Sequence, residues 1–151
     1  MVESSSPPTR CDYNSHMTES TRFEINRPDV VAQVRDAFER YEAALVANRI
    51  DELVEWFWDS PRTVRYGIDE SHVGADLIAE YRRSQAVATP PRSLRGTVIT
   101  TYGDDVATAD TEFVPDGSDV VGRQSQTWIR TDAGWRVASA HVSWLGGRGP
   151  R

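Results

Sequence analysis

Apolar positions in the first third of the chain recur at three- and four-residue steps, whereas beyond residue 92 they alternate with polar ones. Val31, Val34, Phe38, Tyr41 and Leu45 form one stripe, the spacing of a helix with a single buried face. Asn26-Arg27-Pro28-Asp29 marks its entrance, with a proline early and an acid in the first turn. Asn48-Arg49 interrupts the stripe. A second helix follows, with Ile50, Leu53, Val54 and Phe57 as its apolar set, and Asp59-Ser60-Pro61 stops it, since proline lacks the N–H a helix needs. Residues 62–67 predict a short strand and 66–73 a turn and return. Gly74 to Gln85 predicts a third helix with Leu77, Ile78 and Tyr81 on one face. Thr89-Pro90-Pro91 is a linker.

Four strand-like runs then follow, at about 93–102, 105–114, 119–131 and 134–145. Gly103-Asp104, Pro115-Asp116-Gly117-Ser118 and Asp132-Ala133-Gly134 separate them. Connections this short predict an antiparallel meander. Helices first and antiparallel strands later is an α+β layout. A curved sheet wrapped around the long N-terminal helix would bury the stripe and one sheet face, forming a cone with a pocket at its open end.

Composition narrows the picture. A chain of 151 residues with 38% hydrophobic content suits one domain. Residues 1–22 are rich in Ser, Thr and Pro and read as a disordered leader. Residues 23–146 read as the single domain and 147–151 as a flexible tail. A net charge of −6 argues against a nucleic-acid or anionic-membrane surface. All 17 basic residues are arginine, so there is no lysine for a Schiff base or a phosphate loop. The lone Cys11 has no disulfide partner within the chain. The histidines are scattered, neither GxxxxGK nor GxGxxG occurs, and no metal or other cofactor is implied. No apolar run approaches the roughly 18 residues of a membrane span, and a cytoplasmic location is expected.

Candidate chemistry gathers in a few places. Arg65, in PRTVRYG, sits beside WFWDS and shares a strand face with Thr63 and Gly67. Facing inward it needs an anion; otherwise it is solvated, or paired with Asp59, Glu70 or Glu112. Tyr41 is either plain core or a hydroxyl reaching the pocket. Strict alternation along 134–144 places Trp135, Val137, Ser139, His141 and Ser143 together, so an inward Val137 would bring His141 and Ser143 into the cone. The other reading is a histidine satisfied by nearby hydroxyls or amides. Of the adjacent Arg82 and Arg83 at most one can face the pocket. A Ser125–His141–acid triad has no nucleophile elbow to support it. Tyr102, Trp128, Trp135 or Trp144 on the outer sheet face would make a dimer patch.

The whole order resembles the nuclear-transport-factor-2-like (SnoaL-like, cystatin-like) α+β roll. Within it, FWDSPRTVRYG (57–67), GRQSQTW (122–128) and GWRVASAHVS (134–143) are similar to the AtzH-like family, which includes an oxalurate-catabolism protein. The similarity covers about residues 23–145. The spacing of Arg82, Arg92 and Arg95 departs from it. The resemblance implies a homodimer that handles a small urea-derived carboxylate, such as dicarboxyurea or oxalurate, by hydrolysis or decarboxylation in an amidase-linked nitrogen pathway. An amidase is the candidate partner. It implies Tyr41 and Arg65 in the pocket. With His141 as the candidate base, these are the candidate catalytic residues, and Trp58, Tyr66, Arg82, Ser125 and Ser143 the candidate binding set. A non-catalytic accessory of an amidase, and an isomerase or cyclase using an inward aspartate, stay open.

Overall fold

The computed structural model describes residues 21–85 and 88–150. Most of the expected leader, with Cys11 and His16, lies outside the described residues. Helix α1 (Pro28–Val46) opens with proline in its first turn and Asp29 near its positive end. It buries Val30, Val34, Ala37, Phe38, Tyr41, Glu42, Ala44 and Leu45 along one face. It stops where Asn48 takes a left-handed φ of 54°. The Arg49 N–H donates back to the Ala44 carbonyl at 2.9 Å and the Asn48 N–H to Leu45 at 3.2 Å. These satisfy carbonyls that a helix end otherwise leaves unpaired. Helix α2 (Ile50–Glu55), strands β1 (Val64–Tyr66) and β2 (Ser71–Val73), and helix α3 (Ala75–Ser84) follow. The remainder is β3 (Arg92–Tyr102), β4 (Val106–Pro115), β5 (Gly122–Thr131) and β6 (Gly134–Trp144).

The six strands form one sheet in the order β2-β1-β6-β5-β4-β3. The last four are the expected antiparallel meander. The sequence pattern did not reveal that β1 docks parallel beside β6, Arg65 opposite Ala140. The chain is led there by a bridge between Phe57 and Val137, with the Trp58 N–H on the Val137 carbonyl and the Val137 N–H on that of Trp56. The long α1 lies against the concave face, so its stripe and the inward sheet residues share one core that includes Ile99, Ala107, Ala109, Trp128, Val137 and Ala140. Among the described residues no helix is long and apolar enough to cross a membrane.

Two expectations are corrected. The alternation along β6 is not strict. Thr127 pairs with Ser139 but Trp128 with Val137, so Ala138 is an extra residue in a bulge. A bulge shifts the phase of a strand by one residue. Trp135 and Val137 are buried, and beyond the bulge it is Ala140 that is buried. His141 and Ser143 therefore stand exposed on the outer face, with Ser125 opposite His141. The tryptophans are the second correction. Trp128 is fully buried and Trp135 nearly so, because a curved sheet closing on one helix needs large side chains to fill the concavity. Neither contributes to an outer patch. Trp144 is half-buried at the rim of the concave side, and Tyr102 is half-buried with its ring edge-on to Phe23.

Trp128 meets Tyr41 and Trp56 edge-to-face, both at 6.0 Å between ring centres. Trp128→Ala should cost about 3–5 kcal/mol of unfolding free energy, measured by urea denaturation. A loss below about 1 kcal/mol would show that the floor of the cone is not packed through this ring.

Candidate functional site

A cavity of about 480 Å³ opens at the end of the sheet where β3 and β5 begin and β4 and β6 finish. Tyr41 and Leu45 of α1, Arg65 of β1, Tyr81 and Arg82 of α3, and Arg92 of β3 line it. Gln124, Gln126, Phe113 and Trp144 complete the sheet side. Tyr41 reaches it because α1 turns this ring into the stripe, where Phe57 and Trp128 hold its edges. Arg65 reaches it because β1 is paired on both sides, with β2 and β6, so its alternation is pinned. Arg65 and Thr63 then point inward and Tyr66 outward.

Each of the three guanidinium groups has a different setting. Arg92 is clamped: one terminal nitrogen donates to both oxygens of Glu42 at 2.8 Å and to the Gln124 side-chain carbonyl at 2.9 Å. Its Cζ sits 4.3 Å from the centre of the Phe113 ring, a favourable cation–π placement. Gln124 also donates to Glu42 at 2.8 Å. Arg65 donates to Glu70 at 2.7 Å and lies 4.8 Å from the centre of the Tyr81 ring. Arg82 forms no ion pair among the described residues, and its buried Nε has no partner. Burial draws the Arg82 guanidinium below its usual range, with the nearby charge of Arg65 adding to that, while Tyr41, Tyr81 and Glu70 act in the opposite sense. It remains a cation, as arginine does in proteins.

Burial by itself would push the Glu70 carboxyl up, but hydrogen bonds from Arg65, Tyr81 and the Asp69 N–H hold it below the usual carboxylate range. The Tyr81 hydroxyl is pushed up by burial and by its bond to Glu70. The polar atoms left over are mostly donors: Nε of Arg82, Nε of Arg92 and Nε2 of Gln126 are buried without partners among the described residues. A surplus of donors and of positive charge in a partly dry cavity suits an anion that accepts several hydrogen bonds. Among the described residues no group of three or more His, Cys, Asp or Glu could hold a metal ion.

Tyr41, Arg65 and Arg82 thus come together. The other named residues do not. His141, Ser125 and Ser143 are exposed on the outer face for the reason given above. Tyr66 is 44% exposed there, edge-on to His141. Trp58 lines a separate cavity with Asp59, Arg83 and Arg136. Sequence reasoning missed Glu42, Gln124, Gln126 and Tyr81 as site residues. Glu42 carried a readable signal, since it falls four residues after Phe38 inside the apolar stripe, where an unpaired acid is costly. Gln124 and Gln126 carried another, sharing the strand face of buried Trp128.

The sequence matches a family model described as AtzH-like over residues 23–148. It is 48% identical to a protein of unknown function from Pectobacterium atrosepticum, whose crystal structure superposes with a TM-score of 0.77 over 80% of this chain and 94% of that one. A cystatin-like fold protein from Burkholderia xenovorans is 47% identical, with a TM-score of 0.77 over 81% of this chain and 96% of that one. An NTF2-like protein of unknown function from Pseudomonas putida, at 18% identity, matches with a TM-score of 0.65 over 76% of this chain and 86% of that one and shares the fold alone. No curated protein matches significantly. The architecture is the NTF2-like, cystatin-like α+β fold, and it fits a small-molecule-binding or catalytic role.

The lowered Glu70 carboxyl ties stability to pH. Its contribution is whole above the unfolded value near 4.5 and is lost as pH falls through the lower folded-state value. Glu70→Gln should therefore be less stable than the parent near neutral pH, and the gap should narrow in acid. Unfolding midpoints measured across that range check it, and a gap that stays constant overturns it.

Proposed function

This chain belongs to the AtzH-like family, and on that premise we propose that it acts on a short urea-derived carboxylate, dicarboxyurea- or oxalurate-like, in an amidase-linked nitrogen pathway. The observation that carries the reading is Arg82, half-buried beside Arg65 and Tyr41, whose buried Nε has no partner and which pairs with no carboxylate among the described residues. A substrate carboxylate is the missing partner. A planar guanidinium binds it through two parallel hydrogen bonds, which fixes orientation as well as charge.

Within this reading decarboxylation is favoured over hydrolysis. When an N-carboxylate loses carbon dioxide, the carbon–nitrogen bond breaks, its electron pair stays on nitrogen, and nitrogen takes a proton. A single placed donor meets that need, and the Tyr41 hydroxyl faces the cavity. Amide hydrolysis asks in addition for a base to activate water. His141, the candidate for that role, is exposed on the opposite face, and Glu70 is engaged by Arg65. The isomerase reading wants an inward aspartate. Asp110 is exposed and Glu112 pairs with Arg95 at 3.0 Å on the outer face, and no aspartate is among the described lining residues.

Arg65→Met and Tyr41→Phe should each lower the rate of carbon dioxide release from dicarboxyurea by about a hundredfold or more. Parental turnover by both variants would end the assignment. Ligand binding in a calorimeter without turnover, or co-purification with an amidase, would instead favour the accessory role.

The reading includes a cytoplasmic homodimer joined through the outer sheet face. Across that face Val98, Asp110, Ser125, His141 and Tyr66 line up in register on five neighbouring strands. Val98 is 56% exposed, an apolar side chain a partner would cover. Light scattering at about micromolar concentration should give a dimer, and Val98→Arg should shift it toward monomer; a monomeric parent contradicts this.

A further inference from the structure

The charges around the cavity do not balance. Among the described residues Arg65, Arg82 and Arg92 stand against Glu42 and Glu70, leaving one positive charge over. The two acids are not equivalent. Glu42 is buried in a closed cluster with Arg92 and Gln124, and it stands behind the cavity wall. Glu70 lines the cavity itself, with its side chain 25% exposed. It sits in the turn between β1 and β2. A Cβ on Gly67 would occupy the place of the Glu70 carboxylate, so the glycine leaves the acid room to lie against Arg65.

Every element around Glu70 contributes to its state. Arg65 of β1 hydrogen-bonds to it at 2.7 Å, the Tyr81 hydroxyl of α3 interacts with it, and Arg82 of α3 adds a second positive charge. His72 of β2 lies behind Tyr81, ring centres 4.5 Å apart. Asp69, in the same turn, contributes its backbone N–H. Arg92 lines the same cavity, and its pair with Glu42 is neutral as a whole. In the unliganded cavity the hydrogen bond from Arg65 and its charge favour the ionised form of Glu70.

We propose that Glu70 sets the charge a ligand can bring: the cavity accepts one negative charge as it stands, and a second only when Glu70 takes up a proton. The inference rests on the carboxylate-site reading above and sharpens its substrate class. A ligand with one carboxylate satisfies Arg82, and its neutral amide end meets the Gln126 donor and the Tyr41 hydroxyl. A ligand with two must place the second against Arg65, where Glu70 already lies. Two carboxylates sharing one guanidinium in a confined space cannot both stay charged cheaply, and the proton goes to Glu70, because a carboxyl joined to a second electron-withdrawing carbonyl is the stronger acid.

Oxamate and oxalate test this directly. They are near-isosteric and at about neutral pH carry one and two negative charges. Titration calorimetry on the full chain, in bis-Tris and in Tris, separates binding heat from buffer ionisation. Oxamate should bind about tenfold or more tighter than oxalate, with no proton taken up, and oxalate binding should take up close to one proton. Glu70→Gln should abolish the uptake and erase or reverse the preference. Oxalate binding the parent protein with no buffer-dependent heat overturns the proposal, as does an unchanged preference in a folded Glu70→Gln protein. Should that variant fail to fold, the buffer dependence of the parent protein decides alone. If neither probe binds the parent at all, the carboxylate-site reading itself falls; if both bind but Glu70→Gln changes nothing, that reading stands and only the role of Glu70 is lost.

Discussion

An arginine side chain cannot shed its proton to escape a dry environment, and three of them share one cavity. That constraint organises the open end of the cone. Arg92 is matched by Glu42 from the first helix and covered by the Phe113 ring. Arg65 is matched by Glu70 and covered by Tyr81. The matching is a condition for the fold more than a source of stability. A buried pair roughly breaks even against water, yet removing one member leaves a stranded charge at a cost of about 3–5 kcal/mol. Two glycines follow from the same demand. A side chain at Gly122 would collide with Phe113, and one at Gly67 with the Glu70 carboxylate.

Beneath the charges lies an aromatic floor. Phe57, Tyr41, Trp128 and Trp56 meet edge-to-face in succession, which fixes where the Tyr41 hydroxyl points. Trp128 donates to the Gln126 carbonyl oxygen at 3.1 Å, which sets the orientation of the Gln126 amide and leaves its Nε2 unpartnered. The packed core thereby pre-orients donors at the cavity wall, so that a ligand meets groups already in position. Packing and recognition here are one set of contacts: the same ring that fills the cone aims the amide.

The elements themselves were legible in the pattern of residues. The first helix begins at Pro28 and ends at Val46, just before Asn48, because both signals act through local backbone geometry. The four long strands lie within a few residues of their alternating runs. That Tyr41 and Arg65 share a cavity was implied by the family resemblance alone, since the helical stripe left Tyr41 open between plain core and pocket. The outer placement of His141 was not legible. One extra residue at Ala138 reverses every later side chain of β6, and a bulge of this kind leaves no mark in an alternating run of small residues.

By itself, the sequence determined the order of helices and strands, the meander, and the chemistry on offer: seventeen arginines, no lysine and scattered histidines. Those properties depend on neighbours in the chain and on composition. Only the tertiary structure decided which charges meet. Glu42 and Arg92 are 50 residues apart, and their pairing follows from how α1 lies across the start of β3. Arg82 is left without an ion-pair partner among the described residues for the same reason: where the helices settle on the curved sheet, not where the residues stand in the chain, decides which cation is left for a ligand.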